Sequence, residues 1–423
     1  MADREYRPRI MDGLLKEQLK AFGGVLLTGP KMCGKTWTGI NHAGSSVFID
    51  EDNNVQRAEL SPELVLTGDP PLLVDEWQLV PRLWDKARRI IDKAHTSGLF
   101  IFTGSAVPAT GTAHTGTGRF VHLQMRPMSL FESGDSNGAV SLEALFRGEK
   151  IKPCASSLDF KKAVYLICRG GWPAGLWVDE KAALSLPRGY LQMIVESDIS
   201  RVDGVSRNPA RVALLLRSLA RNTATMAGSS VLYRDIGEHE EKAALSSESI
   251  DSYLNALRQI FVIDEQLAWQ PSLRSKTRIR TSPKRHFIDP SLAAAALGAS
   301  PEMLLQDPRT TGFLFESLCY RDLQVYSQAF HGKVYHYRDE KDLEADAIIQ
   351  RDDGAWAAVE VKLGDSEFDS AAKNLLKLKQ KIQPLADDSD RGCAFLMILT
   401  SSGGVAYTRE DGVHVVPVDC LGP

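Results

Sequence analysis

A chain of 423 residues is long enough for two or three domains with separate cores, and 43% hydrophobic with 25% charged residues is an ordinary globular balance. A formal net charge of −4 argues against a surface coated in positive charge for indiscriminate nucleic-acid binding, while leaving room for a local basic patch. Six scattered cysteines without a CxxC pair argue against a disulfide framework or structural zinc; the charged start MADREYRPRI and the lack of a run of about 18 apolar residues predict a cytoplasmic protein without a membrane span.

Between residues 20 and 130, five short apolar runs read as buried strands: 24–27, 47–49, 72–74, 99–102 and 121–123. Helix-like stretches separate them, the pattern of a parallel sheet covered on both faces. The first strand runs directly into Gly29-Pro30-Lys31-Met32-Cys33-Gly34-Lys35-Thr36, which matches G-x-x-x-x-G-K-[ST]. Its glycines let successive backbone N–H groups turn toward phosphate oxygens, and the helix that follows, beginning Lys35-Thr36-Trp37, adds its positive end. Residues Gly29 to Trp37 are therefore the expected nucleotide-binding segment, with Lys35 on the β- and γ-phosphates and Thr36 on Mg²⁺.

Leu72-Leu73-Val74-Asp75-Glu76 is an apolar strand ending in two carboxylates. Asp75 is expected to hold Mg²⁺ and Glu76 to orient and deprotonate the attacking water. At the end of the next strand, Thr103 and Ser105 are both candidates to sense the γ-phosphate. Arg119, after the small polar stretch 109–118 read as a flexible loop, is a candidate for charge stabilisation in cis or in trans. Asp50-Glu51-Asp52 reads as a solvated loop.

From about 155 to 300 the pattern is mostly helical, with an apolar helix over 210–219 and another capped near 246–249 and running through Tyr253, Leu254 and Leu257. A strand at 261–263, the basic residues Arg274, Lys276, Arg278, Arg280, Lys284 and Arg285, and Phe287-Ile288 complete the order of a winged helix-turn-helix. That hairpin, 274–285, is the expected contact for DNA or RNA. Trp269 and Phe287 flank it, and both read better as core.

The last third reads as a helix over 313–326, strands at 334–337, 345–349 and 356–361, a Lys-rich helix over 370–384 and a buried strand at 393–399. Glu360 and Lys362 lie two apart on a strand, hence on one face, and a neighbouring strand can bring Asp346 beside them. Two carboxylates and a lysine suit a metal-dependent phosphodiesterase, with Asp346 and Glu360 as metal ligands, Lys362 stabilising charge and Glu316 adding a further ligand. A Glu360–Lys362 salt bridge is the plainer alternative.

Taken together, GPKMCGKT, LLVDEWQ, IFTGSA, GTGRF with HLQMRPMSLFE, RGGWPAGL, YLNALRQIFVIDEQLAW, KRHFIDPSLAAAALG, GFLFESLCYRDL, EADAII and VEVK resemble a widespread prokaryotic family. Its members join an AAA-type P-loop ATPase domain to a C-terminal domain of restriction-endonuclease-like, PD-(D/E)xK, fold. The resemblance implies an α/β protein: a P-loop NTPase parallel sheet in 1–150, a helical and winged-helix middle in 151–300, and an α/β endonuclease-like domain in 301–423. It carries Gly29, Gly34, Lys35, Thr36, Asp75 and Glu76 over as the nucleotide site, and Glu316, Asp346, Glu360 and Lys362 as the nuclease-like set. Two departures are Cys33, a larger and thiol-bearing loop residue that would make the loop sensitive to thiol reagents, and Ala347, where relatives often carry an aromatic.

The expected function is an ATP- and Mg²⁺-dependent ATPase acting on, or regulated by, nucleic acid. The alternative is a nucleotide-controlled switch whose endonuclease-like domain only binds. Expected partners are ATP, nucleic acid and further copies of the chain.

Overall fold

The computed structural model describes residues 5–51, 53–105, 116–237, 247–271, 282–382 and 392–423. The chain divides into two compact units: Met1–Pro127 with Ser197–Ser206 and Asn255–Val262, and Met128–Glu196 with Arg207–Leu254 and Ile263–Pro423. Among the described residues no helix is long and apolar enough to cross a membrane.

In the first unit, β1 (Gly24–Thr28), β2 (Ser45–Phe48), β3 (Leu72–Asp75), β4 (Phe100–Gly104) and β5 (Phe120–Gln124) form a sheet of order β2-β3-β4-β1-β5. Every pairing is parallel. All five apolar runs of the sequence are thus strands. Helices α1 (Met11–Ala21), α2 (Lys35–His42), α3 (Asn54–Leu60) and α4 (Arg82–Ala94) accompany them.

Alternation along β4 builds two cores. Phe100 and Phe102 join Trp77, Trp84 and Phe120 on one face, where the Trp84 and Phe120 rings stack with centroids 4.1 Å apart. Ile101 joins Val25, Leu27, Leu73, Met11 and Leu15 on the other. Burial on both faces explains why β1, β3 and β4 read as continuous apolar runs. Because the strands are parallel and in register, the carboxyl ends of β1, β3 and β4 come to one edge, with Thr28 beside Gly104 and Asp75 beside Thr103.

The second unit contains β6 (Val140–Ser141), β7 (Cys154–Ala155), β8 (Ile263–Gln266), β9 (Lys284–Phe287), β10 (Lys333–Arg338), β11 (Glu344–Gln350), β12 (Trp356–Lys362), β13 (Cys393–Thr400), β14 (Val405–Thr408), β15 (His414–Pro417) and β16 (Leu421–Gly422). Helices Pro209–Arg221, Ser229–Gly237 and Ser247–Gln259 precede an antiparallel β8–β9 pair. The strand expected at 261–263 starts only at Ile263. Phe261 has a φ of 57°, and the Val262 N–H returns to the Leu257 carbonyl at 2.9 Å, so these residues close the preceding helix. Arg274, Lys276, Arg278 and Arg280, residues 109–115, Asp52, Ser246 and residues 383–384 lie outside the described residues.

The large sheet runs β10-β11-β12-β13-β15-β14-β7. Strands β10, β11 and β12 are antiparallel neighbours, while β12, β13 and β15 are parallel. The Phe368–Ile382 helix covers one face with Phe368, Ala371, Ala372, Leu375, Leu378 and Ile382, a helical spacing that leaves Lys373 and Lys377 to solvent. Trp269 and Phe287 are core residues, as read from the sequence.

Two histidines are sealed into this unit. His286 lies between the Ser317 hydroxyl and the Gln266 side-chain oxygen, at 3.0 and 3.1 Å. Burial, reinforced by the nearby Lys284 ammonium, pushes the pKa of His336 down to about 4. The unfolded chain therefore takes up a proton that the folded one refuses, and stability falls as pH drops from about 6.5 toward 4. Urea denaturation across that window should show His336→Gln losing stability less steeply than wild type, by up to about 1.4 kcal/mol per pH unit.

Candidate functional site

The loop after β1 is shaped by backbone conformations that disfavour side chains. Gly29 has a φ of 149°, and a Cβ there would lie 2.2 Å from the Met125 carbonyl oxygen. Met32 and Gly34 also take positive φ, 62° and 104°, and Gly34 caps α2. Lys35 is buried and donates to the carbonyls of Gly29 and Pro30 at 3.0 and 2.7 Å, so its ammonium is held at the loop itself. Lys31 pairs with Asp198 at 2.7 Å. Met32 and Trp37 are exposed.

Cys33 corrects an expectation. Its side chain is fully buried against Val25, Leu27 and Met125, so thiol reagents have no direct path to it. Its carbonyl accepts from the Arg9 guanidinium at 2.8 Å, and the same guanidinium reaches the Arg126 carbonyl at 2.9 Å. Arg9 braces the loop from outside any motif, and nothing in the sequence pattern marks it for that task.

The acidic end meets the loop where strand register dictates. The Thr36 hydroxyl lies 3.1 Å from both Asp75 oxygens, and the Thr103 hydroxyl donates to Asp75 Oδ1. Between the two sensor candidates, Thr103 is thus the one hydrogen-bonded to Asp75. Burial raises the Asp75 pKa, against the pull of the Thr103 and Thr36 hydroxyls and Lys35. Burial also raises that of Glu76, and the adjacent Asp75 adds repulsion. Glu76 has a left-handed φ of 54°, a conformation uncommon outside glycine, and the Gln78 amide donates to its carboxylate. Asp50 and Glu51 are exposed, in keeping with a solvated loop.

Arg119 requires a correction as well. It precedes β5, and Gly24 at the start of β1 bonds to its carbonyl, which places it at the opposite end of the parallel sheet from the phosphate loop. Its guanidinium pairs with Asp92 at 2.7 Å. That geometry does not support action on this chain's own nucleotide, and the Asp92 pair suits a surface arginine.

The second predicted set also converges. Glu316 comes from the Pro308–Ser327 helix, Asp346 from β11, and Glu360 and Lys362 from β12. Lys362 bonds Glu360 at 2.9 Å, and the Val361 N–H donates to Asp346 Oδ2 at 2.8 Å. Glu360 does not face an open cleft: it is 4% exposed, and the Asn374 amide donates to its other oxygen at 2.7 Å. The sequence reading missed the fifth member. Lys284 of β9, assigned there to the basic hairpin, lies 2.6 Å from Glu316 and 3.4 Å from Asp346. Among the described residues no group of three or more His, Cys, Asp or Glu side chains is arranged to hold a metal ion.

Residues 22–133 match a family model described as an AAA domain. Residues 161–303 and 311–421 match two domains of unknown function, DUF8612 and DUF4143. Uncharacterized proteins of Mycobacterium bovis and Mycobacterium tuberculosis are each 25% identical over 331 residues, covering 77% of this chain and 67% of theirs. A crystal structure of the Pyrococcus furiosus Hef helicase domain aligns over 94% of this chain and 90% of its own at 11% identity and a TM-score of 0.20. The AAA match covers β1 to β5 and the whole phosphate loop; with the DUF4143 match it supports the AAA ATPase family and, with it, ATP binding by this chain.

Proposed function

We propose that the protein binds Mg²⁺-ATP at Gly29–Thr36 and hydrolyses it with Glu76 as the base. The observation that carries this reading is the Asp75 carboxylate gathered between the Thr36 and Thr103 hydroxyls, one residue before Glu76 and at the mouth of the loop. Hydroxyl and carboxylate oxygens are the hard donors that Mg²⁺ prefers, so the donor set fits, with Thr36 and Asp75 holding the ion. When bound, Mg²⁺ would neutralise charge developing on the phosphates. Lys35 exchanges its two loop carbonyls for phosphate oxygens, a stronger charge-assisted contact. Glu76 orients water in line with the γ-phosphate and accepts its proton.

The two sensor candidates separate by mutation. Thr103→Val removes a hydrogen bond to a buried carboxylate and should lower kcat by roughly 10-fold or more, while Ser105→Ala should stay within about twofold. Steady-state ATP hydrolysis on the purified full chain measures both. A loss of no more than about twofold in Thr103→Val would remove Thr103 from the mechanism.

A second reading concerns the rest of the chain. The helix–strand–strand–strand–helix–strand order of 308–400 supports an endonuclease-like domain. Of the six basic residues expected to contact nucleic acid, however, Lys284 is buried in ion pairs, and Arg285 binds Glu265 and the Ala227 carbonyl. This favours the switch reading, in which nucleotide state governs a domain that binds without cutting. Duplex binding across a salt series tests it: affinity falling steeply with salt would restore the nucleic-acid reading.

A further inference from the structure

We propose that Lys284 is the built-in cation of the endonuclease-like site, its ammonium standing between Glu316 and Asp346 where a divalent metal would otherwise sit, so that the site is a metal-free ion-pair joint. The inference rests on the endonuclease-like reading of this cluster, not on the ATPase reading.

Three observations carry it. The first is the occupancy of the carboxylates. Asp346 gives one oxygen to Lys284 and the other to the Val361 N–H. Glu360 gives one to Asn374 and the other to Lys362, and Glu316 accepts from Lys284. Both oxygens of Asp346 and of Glu360 are thus engaged by fixed donors, two of them the ammonium groups of Lys284 and Lys362, so a metal ion would have to share each carboxylate with a cation already in contact with it.

The second is charge. Three carboxylates with one lysine would carry two net negative charges, the deficit that one divalent ion fills. Lys284 reduces that deficit to one. A divalent ion added beside both lysines would leave excess positive charge in a buried place, where uncompensated charge is expensive. Burial raises the Glu316 and Glu360 pKa values, while the Lys284 pKa is held above its usual value by Glu316 and Asp346 in spite of its burial.

The third is that the ammonium is positioned by structure rather than by chance. Lys284 pairs with Gln266 across the β8–β9 ladder, and the Gln266 amide donates to the carbonyls of Tyr335 and Asp346 at 2.9 and 2.8 Å. Two residues on, His286 is bonded to Ser317, the neighbour of Glu316. The strand bearing the lysine and its partner β8 are thereby fastened to the elements that supply Glu316 and Asp346. The lysine in turn ties the β8–β9 pair to the sheet, which gives these carboxylates a purpose without hydrolysis.

The test is Mn²⁺ binding by nucleotide-free full-length protein, followed by electron paramagnetic resonance of the free ion. Wild type and Asp346→Asn should take up Mn²⁺ identically. Lys284→Ala should gain one further ion per chain, lost again in the Lys284→Ala, Asp346→Asn double variant. Circular dichroism confirms folding, and Lys284→Met, which keeps the aliphatic stem, replaces the alanine variant should that one fail to fold. A wild-type Mn²⁺ ion that Asp346→Asn abolishes would overturn the proposal and leave an endonuclease-like metal site standing. A folded Lys284→Ala or Lys284→Met that gains no ion would overturn both the proposal and the endonuclease-like reading of the cluster. If neither lysine variant folds, the comparison of wild type with Asp346→Asn still decides.

Discussion

Glu76→Gln should retain ATP binding and hydrolyse it roughly 10²- to 10⁴-fold more slowly than wild type, the range lost with a general base. Glutamine keeps the size and one hydrogen-bonding oxygen of the side chain, including an acceptor for Gln78, but cannot take a proton from water. The pH profile provides a second readout. Burial and the neighbouring Asp75 raise the Glu76 pKa, so the ionised base is lost on acidification at a higher pH than for an ordinary glutamate. Wild-type kcat should fall with decreasing pH along a limb displaced upward from about 4.3, and the residual activity of Glu76→Gln should lack that limb. A variant with unchanged turnover would remove Glu76 from the chemistry.

Arg321→Met should destabilise the second unit by about 3–5 kcal/mol, the cost of leaving buried carboxylates without their cation. Arg321 is 2% exposed and binds Asp289 at 2.9 Å through one guanidinium nitrogen. Its other nitrogens reach Asp322 at 2.7 and 2.8 Å. Asp289 also caps the Pro290–Leu297 helix through the Ser291 N–H and accepts from Gly171, while Asp322 accepts from Leu130. One guanidinium therefore organises four segments, and Met fills its volume without replacing a single donor. Burial pushes the Asp322 carboxyl up and Arg321 pulls it back, so losing the arginine leaves the acid to be protonated or exposed. Urea unfolding followed by circular dichroism measures the loss; a change below about 1 kcal/mol would show that the pair is matched by its desolvation cost.

What the sequence revealed depended on how local the determinant was. The three central strands were legible because a strand buried on both faces must be apolar throughout, as in β1, β3 and β4. The phosphate loop was legible because glycine, lysine and threonine are needed at fixed spacing within eight residues. Thr103 could not be separated from Ser105, since only the β3–β4 register sets Thr103 beside Asp75. Arg119 looked well placed along the chain, yet a parallel strand must begin at the edge opposite to the one where β1 ends. Lys284 was the largest miss. Within its own neighbourhood it is one of a run of basic residues, and its burial is decided by acids 32 and 62 positions away. Arg321 and Asp289 stood in motifs that marked the resemblance, but their role appears only when the Pro290–Leu297 and Pro308–Ser327 helices meet.

The measurement that bears most directly on the nucleotide site is calorimetric titration of ATP with Mg²⁺ into the folded full-length protein, wild type beside Lys35→Ala. Saturable binding in the wild type, weakened at least about 100-fold in the variant, is the predicted result. No binding by the folded wild type, or equal affinity in the two proteins, would contradict it.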